Sequence, residues 1–182
     1  MKLADKIASY SHQPHSEKQR KIARILPIFV FFFFFPTLLF LIPNLLLDSW
    51  LHLPLLPNPP LRMTIGGVMM AIGVLFLLWT LKAQREIGKG TPMPLMATRK
   101  LVVQKPYAYC RNPLAFGLLN LYFGISIFIG SLGSLLVVIL FSIIILSYIK
   151  FVEEKELEQR YGEAYVAYKQ QTSFLIPRPA RR

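Results

Sequence analysis

Two short polar stretches interrupt an otherwise apolar chain, and both carry groups able to hold a charged ligand. The first holds Tyr107, Arg111, Asn112 and Pro113, with Gly117 a turn further on. The second opens with Glu153 and Glu154 and continues to Tyr161, Tyr165 and Tyr168. A guanidinium grips a carboxylate through two parallel N–H bonds, and a carboxylate takes an ammonium. Tyrosine faces cover a purine or a sulfonium. Together these groups suit a zwitterionic ligand with an aromatic base. An Arg–Glu ion pair that merely fixes two helix ends explains the same residues, and spacing does not choose between them.

Metal chemistry finds little support. Cys110 is the only cysteine, which excludes an internal disulfide, and no CxxC or Cys/His cluster occurs. His12 and His15 form an HxxH pair with no further ligand nearby, so they read as solvated loop residues. Gly88-Lys89-Gly90-Thr91-Pro92 is only loosely like a phosphate loop, because GxxxxGK[ST] spacing and a preceding strand are both missing.

Pro113 suits the first turn of a helix, where its missing N–H is not needed, and it biases Asn112 away from helical geometry. Asn112 is thus the expected cap. Arg111 then lies beside the positive end of that helix, a poor place for a cation unless an anion is bound there. A snorkelling arginine at a membrane boundary is the plainer reading.

What must position these groups is a bilayer. The 182 residues are one domain's worth, 54% hydrophobic with mean hydropathy +0.46, too apolar for a soluble domain. Apolar runs long enough to span a membrane predict an all-α, polytopic membrane protein. A net charge of +12 would suit nucleic acid if clustered on a soluble domain. Here the charges flank apolar runs instead, which argues against such a partner.

Residues 1–26 are mostly polar and basic, so they do not read as a cleavable signal peptide. Leu3, Ile7 and Tyr10 fall at helical spacing and predict a short amphipathic helix on the membrane. Residues 27–81 hold two spans. In the first, Phe31 to Phe35 read as lipid-facing bulk, Pro36 and Pro43 predict kinks, and Trp50 follows as an interfacial anchor. In the second, Gly66, Gly67, Ala71 and Gly73 allow close helix contact.

A polar segment, 82–112, leads to a helical hairpin over 113–151, divided by the Gly130-Ser131-Leu132-Gly133-Ser134 cluster. Four spans place residues 1–26, 82–112 and the tail, 152–182, on one side. With Lys150 at the exit of the last span counted there, all but one of the 21 Lys and Arg lie on that side, Arg62 being the exception, which predicts cytoplasmic termini. In the tail, Leu157, Tyr161, Ala164, Tyr165 and Tyr168 line one face of an amphipathic helix. Lys150 and Lys155 offer Glu153 and Glu154 ordinary ion pairs. Because the last two spans form a hairpin, Arg111 and the glutamate pair must be neighbours.

The ordered motifs carry a resemblance. Leu101-Val102-Val103, Pro106-Tyr107, Tyr109, Arg111-Asn112-Pro113 and Gly117 resemble a signature of the isoprenylcysteine carboxyl methyltransferase and phospholipid methyltransferase superfamily. Glu153-Glu154-x-x-Leu157, Tyr161-Gly162, Tyr165, Tyr168 and Ile176-Pro177 are similar to its EExxL…[FY]GxxYxxY…P tail, and Gly88 to Pro92 to a GxGTP lead-in. Lys105 and Ala115 depart from the usual glycine and tyrosine, and Phe174 stands where some members carry arginine.

The resemblance implies one membrane-embedded domain over 1–182 that moves a methyl group from S-adenosylmethionine to a lipid-like or prenylated acceptor. It implies catalytic roles for Arg111 and Glu154. It also implies a cofactor pocket at the cytosolic face, lined by Tyr107, Arg111, Asn112, Pro113, Gly117, Glu153, Glu154, Tyr165 and Tyr168. No metal is expected, and a bacterial inner membrane is the expected location. A sterol-type membrane reductase using NADPH and a catalytically inactive scaffold are the rival expectations.

Overall fold

The computed structural model describes residues 29–52, 57–88 and 101–179. The expected N-terminal surface helix, the HxxH pair and Lys89 to Pro92 of the GxGTP stretch lie outside them. The described residues are all-helical, with no strand beyond a single bridge between Cys110 and Ser173.

Helix α1 covers residues 29–51 and contains three wide turns, Val30–Phe34, Thr37–Leu41 and Asn44–Asp48. Proline lacks an N–H and crowds the carbonyl four residues back. Pro36 and Pro43 are each followed directly by one of these turns, in which the N–H reaches five residues back, as Ile42 does to Thr37. The expected kinks therefore take the form of wide turns. The phenylalanine run divides: Phe33 and Phe34 are exposed, whereas the Phe35 ring packs at a tilt against Phe141, centroids 4.8 Å apart.

Helix α2, Pro59–Ala83, begins with two prolines behind Asn58, whose side chain accepts the Leu61 N–H at 3.2 Å. It runs on through a wide turn, Gln84–Gly88, so the segment expected to be polar loop from Lys82 starts as helix. Helix α3, Pro113–Ile129, ends at Gly130, whose φ of +74° is the left-handed stop that glycine permits. Helix α4, Leu132–Tyr148, starts at Ser131, whose hydroxyl accepts the Ser134 N–H at 2.9 Å. It continues through Ile149–Glu153 into α5, Glu154–Tyr161.

At Gly162 (φ +57°) the chain turns again before α6, Glu163–Gln171. The single tail helix expected from the spacing of Leu157 to Tyr168 is thus two helices, because the glycine breaks it. Two helices are long and apolar enough to cross a membrane, Pro59–Ile87 and Leu132–Tyr161. Thr37–Leu51 and Pro113–Ile129 are apolar but shorter. Their exposed faces carry Leu45, Leu46, Leu75, Leu140, Ile143 and Ile144, a surface that suits hydrocarbon.

The tightest packing joins α2 and α3, which run antiparallel. Gly66 lies against Gly124, and seven residues on Gly73 lies against Gly117. A Cβ on Gly73 would stand 2.6 Å from the Leu121 nitrogen and 2.7 Å from the Gly117 carbonyl oxygen, so the two backbones touch. Gly67, expected on the same face, looks into open space, and Ala71 is exposed. Around this pair, Leu39 and Phe40 of α1 meet Tyr122 of α3 and Val138 of α4 in a buried cluster. At the hairpin turn, Asp48 accepts the Gly133 N–H at 2.7 Å, a carboxylate on a helix N-terminus. The opposite end gathers the end of α2, the start of α3 and the exit of α4.

Candidate functional site

Arg111 precedes Pro113 in sequence, and its guanidinium lies next to the exit of α4. Its Nε and Nη2 donate to one carboxylate oxygen of Glu154, at 3.0 and 2.8 Å. Its Nη1 donates to the backbone carbonyls of Lys169 at 2.8 Å and Thr172 at 2.5 Å. The anion that a cation at this helix start requires is therefore Glu154, only 1% exposed. The second Glu154 oxygen lies 3.0 Å from the Lys169 ammonium and 3.6 Å from that of Lys150. Lys169 also donates to Glu158 at 2.7 Å. Three cations thus converge on one buried carboxylate, with Glu158 balancing part of the excess.

This clasp binds the segment after α6 across the loop before α3. The Arg111 N–H donates to the Ser173 carbonyl at 2.8 Å, and the Arg178 N–H donates to that of Tyr109 at 3.0 Å. The Ser173 hydroxyl also reaches the Tyr109 carbonyl at 3.0 Å. The Asn112 carboxamide donates to the Phe174 carbonyl at 2.9 Å. It is therefore not the side-chain cap expected of it: Asn112 holds the cap position only through its backbone, whose carbonyl accepts the Phe116 N–H. The reason is competition. A carbonyl of the crossing strap is within reach, and the amide takes it. Phe174 lies under two cations, 5.7 Å from Arg111 and 5.3 Å from Lys150.

On the other side of the loop, the Tyr107 hydroxyl accepts the Gln84 amide N–H at 2.5 Å, which ties the loop to the end of α2. The Tyr107 carbonyl accepts the Tyr168 hydroxyl at 2.8 Å, and the Tyr168 and Tyr165 rings stand 6.0 Å apart. Burial pushes the Tyr107, Tyr165 and Tyr168 hydroxyls above their ordinary range, so all three stay protonated donors. Burial likewise pushes the Cys110 thiol up to about 11. The hydrogen bond to Glu158, and then Glu154, hold the Lys169 ammonium above its usual value.

Tyr107, Arg111, Asn112, Glu154, Tyr165 and Tyr168 are thus gathered at one end of the bundle. Glu153 sits half-buried one residue earlier, close enough for its charge to bear on Tyr107 and Tyr165. Among the described residues it makes no ion pair within 4 Å. Pro113 is buried in the first turn of α3. Gly117 stands apart from the gathering, one turn into α3 and pressed on Gly73. Sequence reading missed Gln84 and Lys169, and it had Phe174 and Ile176-Pro177 as motif positions without foreseeing the 172–178 strap. Gln84 carries a visible signal, an amide just past an apolar run, whereas the strap is joined through main-chain atoms that no residue type announces.

Among the described residues no cluster of three His, Cys, Asp or Glu is placed to hold a metal. A family model described as phospholipid methyltransferase matches residues 61–164, which takes in α2 to α5 and the start of α6. No curated protein and no solved structure matches the chain.

Proposed function

The chain belongs to the phospholipid methyltransferase family, and on that premise we propose that it moves a methyl group from S-adenosylmethionine to a lipid-like or prenylated acceptor at the cytosolic membrane face. In this reading α1 to α4 form four spans of a single domain over 1–182, with both termini cytoplasmic, as the distribution of Lys and Arg favours. The observation that carries it is the meeting of Arg111 and Glu154, which draws the tail tyrosines over the end of the bundle.

The residues suit the cofactor. Glu153 offers a carboxylate with no ion pair among the described residues, to receive an ammonium, while Tyr165 and Tyr168 offer faces for a base or a sulfonium. S-adenosylmethionine, when bound, supplies a methyl group already activated on sulfur. Arg111 and Glu154 hold the strap and α6 in place, and Asn112 and Pro113 set where α3 begins. The chain's task is then alignment and exclusion of water, where proximity supplies much of the acceleration. If the acceptor is an amine, Glu153, the carboxylate not committed to the clasp, keeps it unprotonated; a carboxylate acceptor needs no base. A lipophilic acceptor enters sideways from the bilayer.

Calorimetry with S-adenosylhomocysteine tests the reading, followed by incubation with labelled donor and total membrane lipid. Micromolar binding and label in a lipid fraction are expected. Binding of NADPH in place of S-adenosylhomocysteine would transfer the site to a reductase.

A further inference from the structure

The last two turns of α2 carry polar atoms that the described residues leave unanswered. The Thr80 hydroxyl is fully buried and has no hydrogen-bond partner among the described residues, and the Gln84 carboxamide oxygen, itself shielded from solvent, has none among them either. The two residues are one turn apart, on one face of the helix. Thr80 extends the heptad of Gly66 and Gly73, so the same register that seats those glycines on α3 brings Thr80 level with the start of that helix. Gln84 meanwhile reaches across to the Tyr107 hydroxyl with its nitrogen. A buried polar atom without a partner is costly, and two adjacent ones near hydrocarbon are more so. Such a cost persists where a bound molecule removes it.

The geometry assigns Thr80 and Gln84, together with Tyr107, to a polar subsite of the methyl-transfer pocket, which takes a ligand group bearing N–H or O–H donors. The Gln84 oxygen accepts one of those donors. The Thr80 hydroxyl, able to give or receive, takes the next group along. The Tyr107 phenol, accepting from Gln84, keeps its own proton for a ligand oxygen. The inference rests on the methyl-transfer reading, and the donor-bearing group belongs either to the cofactor or to the head of the acceptor.

Gln84→Met keeps the unbranched stem and removes both hydrogen-bonding ends, and Gln84→Asn keeps the amide but withdraws it by one methylene. Each variant is purified in detergent, its melting temperature is recorded, and it is titrated with S-adenosylhomocysteine. Labelled-donor turnover is then measured against increasing membrane lipid extract. A loss of affinity for S-adenosylhomocysteine of about tenfold or more assigns the group to the cofactor. Unchanged affinity with about a tenfold rise in the lipid needed for half-maximal labelling assigns it to the acceptor. Either variant suffices if the other fails to fold. Affinity and labelling both unchanged in a variant that melts like the parent would overturn the subsite while leaving the enzyme reading intact. Absence of S-adenosylhomocysteine binding by the parent protein would instead overturn the reading beneath it.

Discussion

The α2–α3 crossing and the clasp at the end of the bundle are both close-packed, yet they are held by opposite means. The glycine seats of the crossing hold no charge: Gly66, Gly73, Gly117 and Gly124 let two backbones touch, and shape fixes the register there. The clasp is almost entirely charge and carbonyl, with Arg111, Lys150 and Lys169 around Glu154. The difference follows from the surroundings. In hydrocarbon a buried ion is costly and contact is favourable, whereas at the interface a charged group can be satisfied by several partners at once. A region built on shape fails by crowding, and a region built on charge fails by orphaning one partner.

The largest effect is expected from Gly73→Leu. Its side chain would enter backbone atoms of Gly117 and Leu121 that cannot withdraw, costing at least ~3 kcal/mol. Loss of monodisperse protein in detergent would show it; a variant melting like the parent would mean the helices do not touch there. Glu154→Ala comes next. It leaves the Arg111 guanidinium, only 8% exposed, without its carboxylate, at about 3–5 kcal/mol, concentrated in the strap and α6. Limited proteolysis within 163–179 should quicken while α2 and α3 stay protected.

A smaller effect is chemical. Cys110 is fully buried beside Ser173, and its raised pKa keeps thiolate scarce, so alkylation at about pH 8 should be slow in the parent and faster in Glu154→Ala. The pH dependence of the clasp follows from Lys169. Its raised pKa means that its contribution is fully present below the ordinary lysine value. That contribution fades only as pH climbs through the higher folded value. Strap protection should therefore be flat from neutral to mildly alkaline pH, and an early decline would point to a different group. Smallest of all is Gly67→Ala, where the added methyl meets nothing among the described residues, so stability from thermal melts should change by less than about 1 kcal/mol, upward if at all.

The same contrast explains what could be read from residues alone. The helical class and the neighbourhood of Arg111 and Glu154 were legible, because apolar length and a tight Gly130 turn leave few ways to arrange the ends. Which glycine works was not: Gly66 and Gly67 are identical as letters, and only the facing helix distinguishes them. The role of Asn112 was misjudged because its competing acceptor, the Phe174 carbonyl, lies 62 residues away. Gly162 was readable as part of a motif but not as a break, since the tyrosine spacing on either side stays helical across it.

Because α2 and α3 meet backbone to backbone, neither can slide along the other without lifting glycine out of its seat. A thicker or thinner bilayer will then tilt the pair as one body rather than shear it. Gln84 on one helix and Arg111 beside the other keep their separation whatever the acyl-chain length, so hydrophobic mismatch changes how the molecule leans and leaves its working end unaltered.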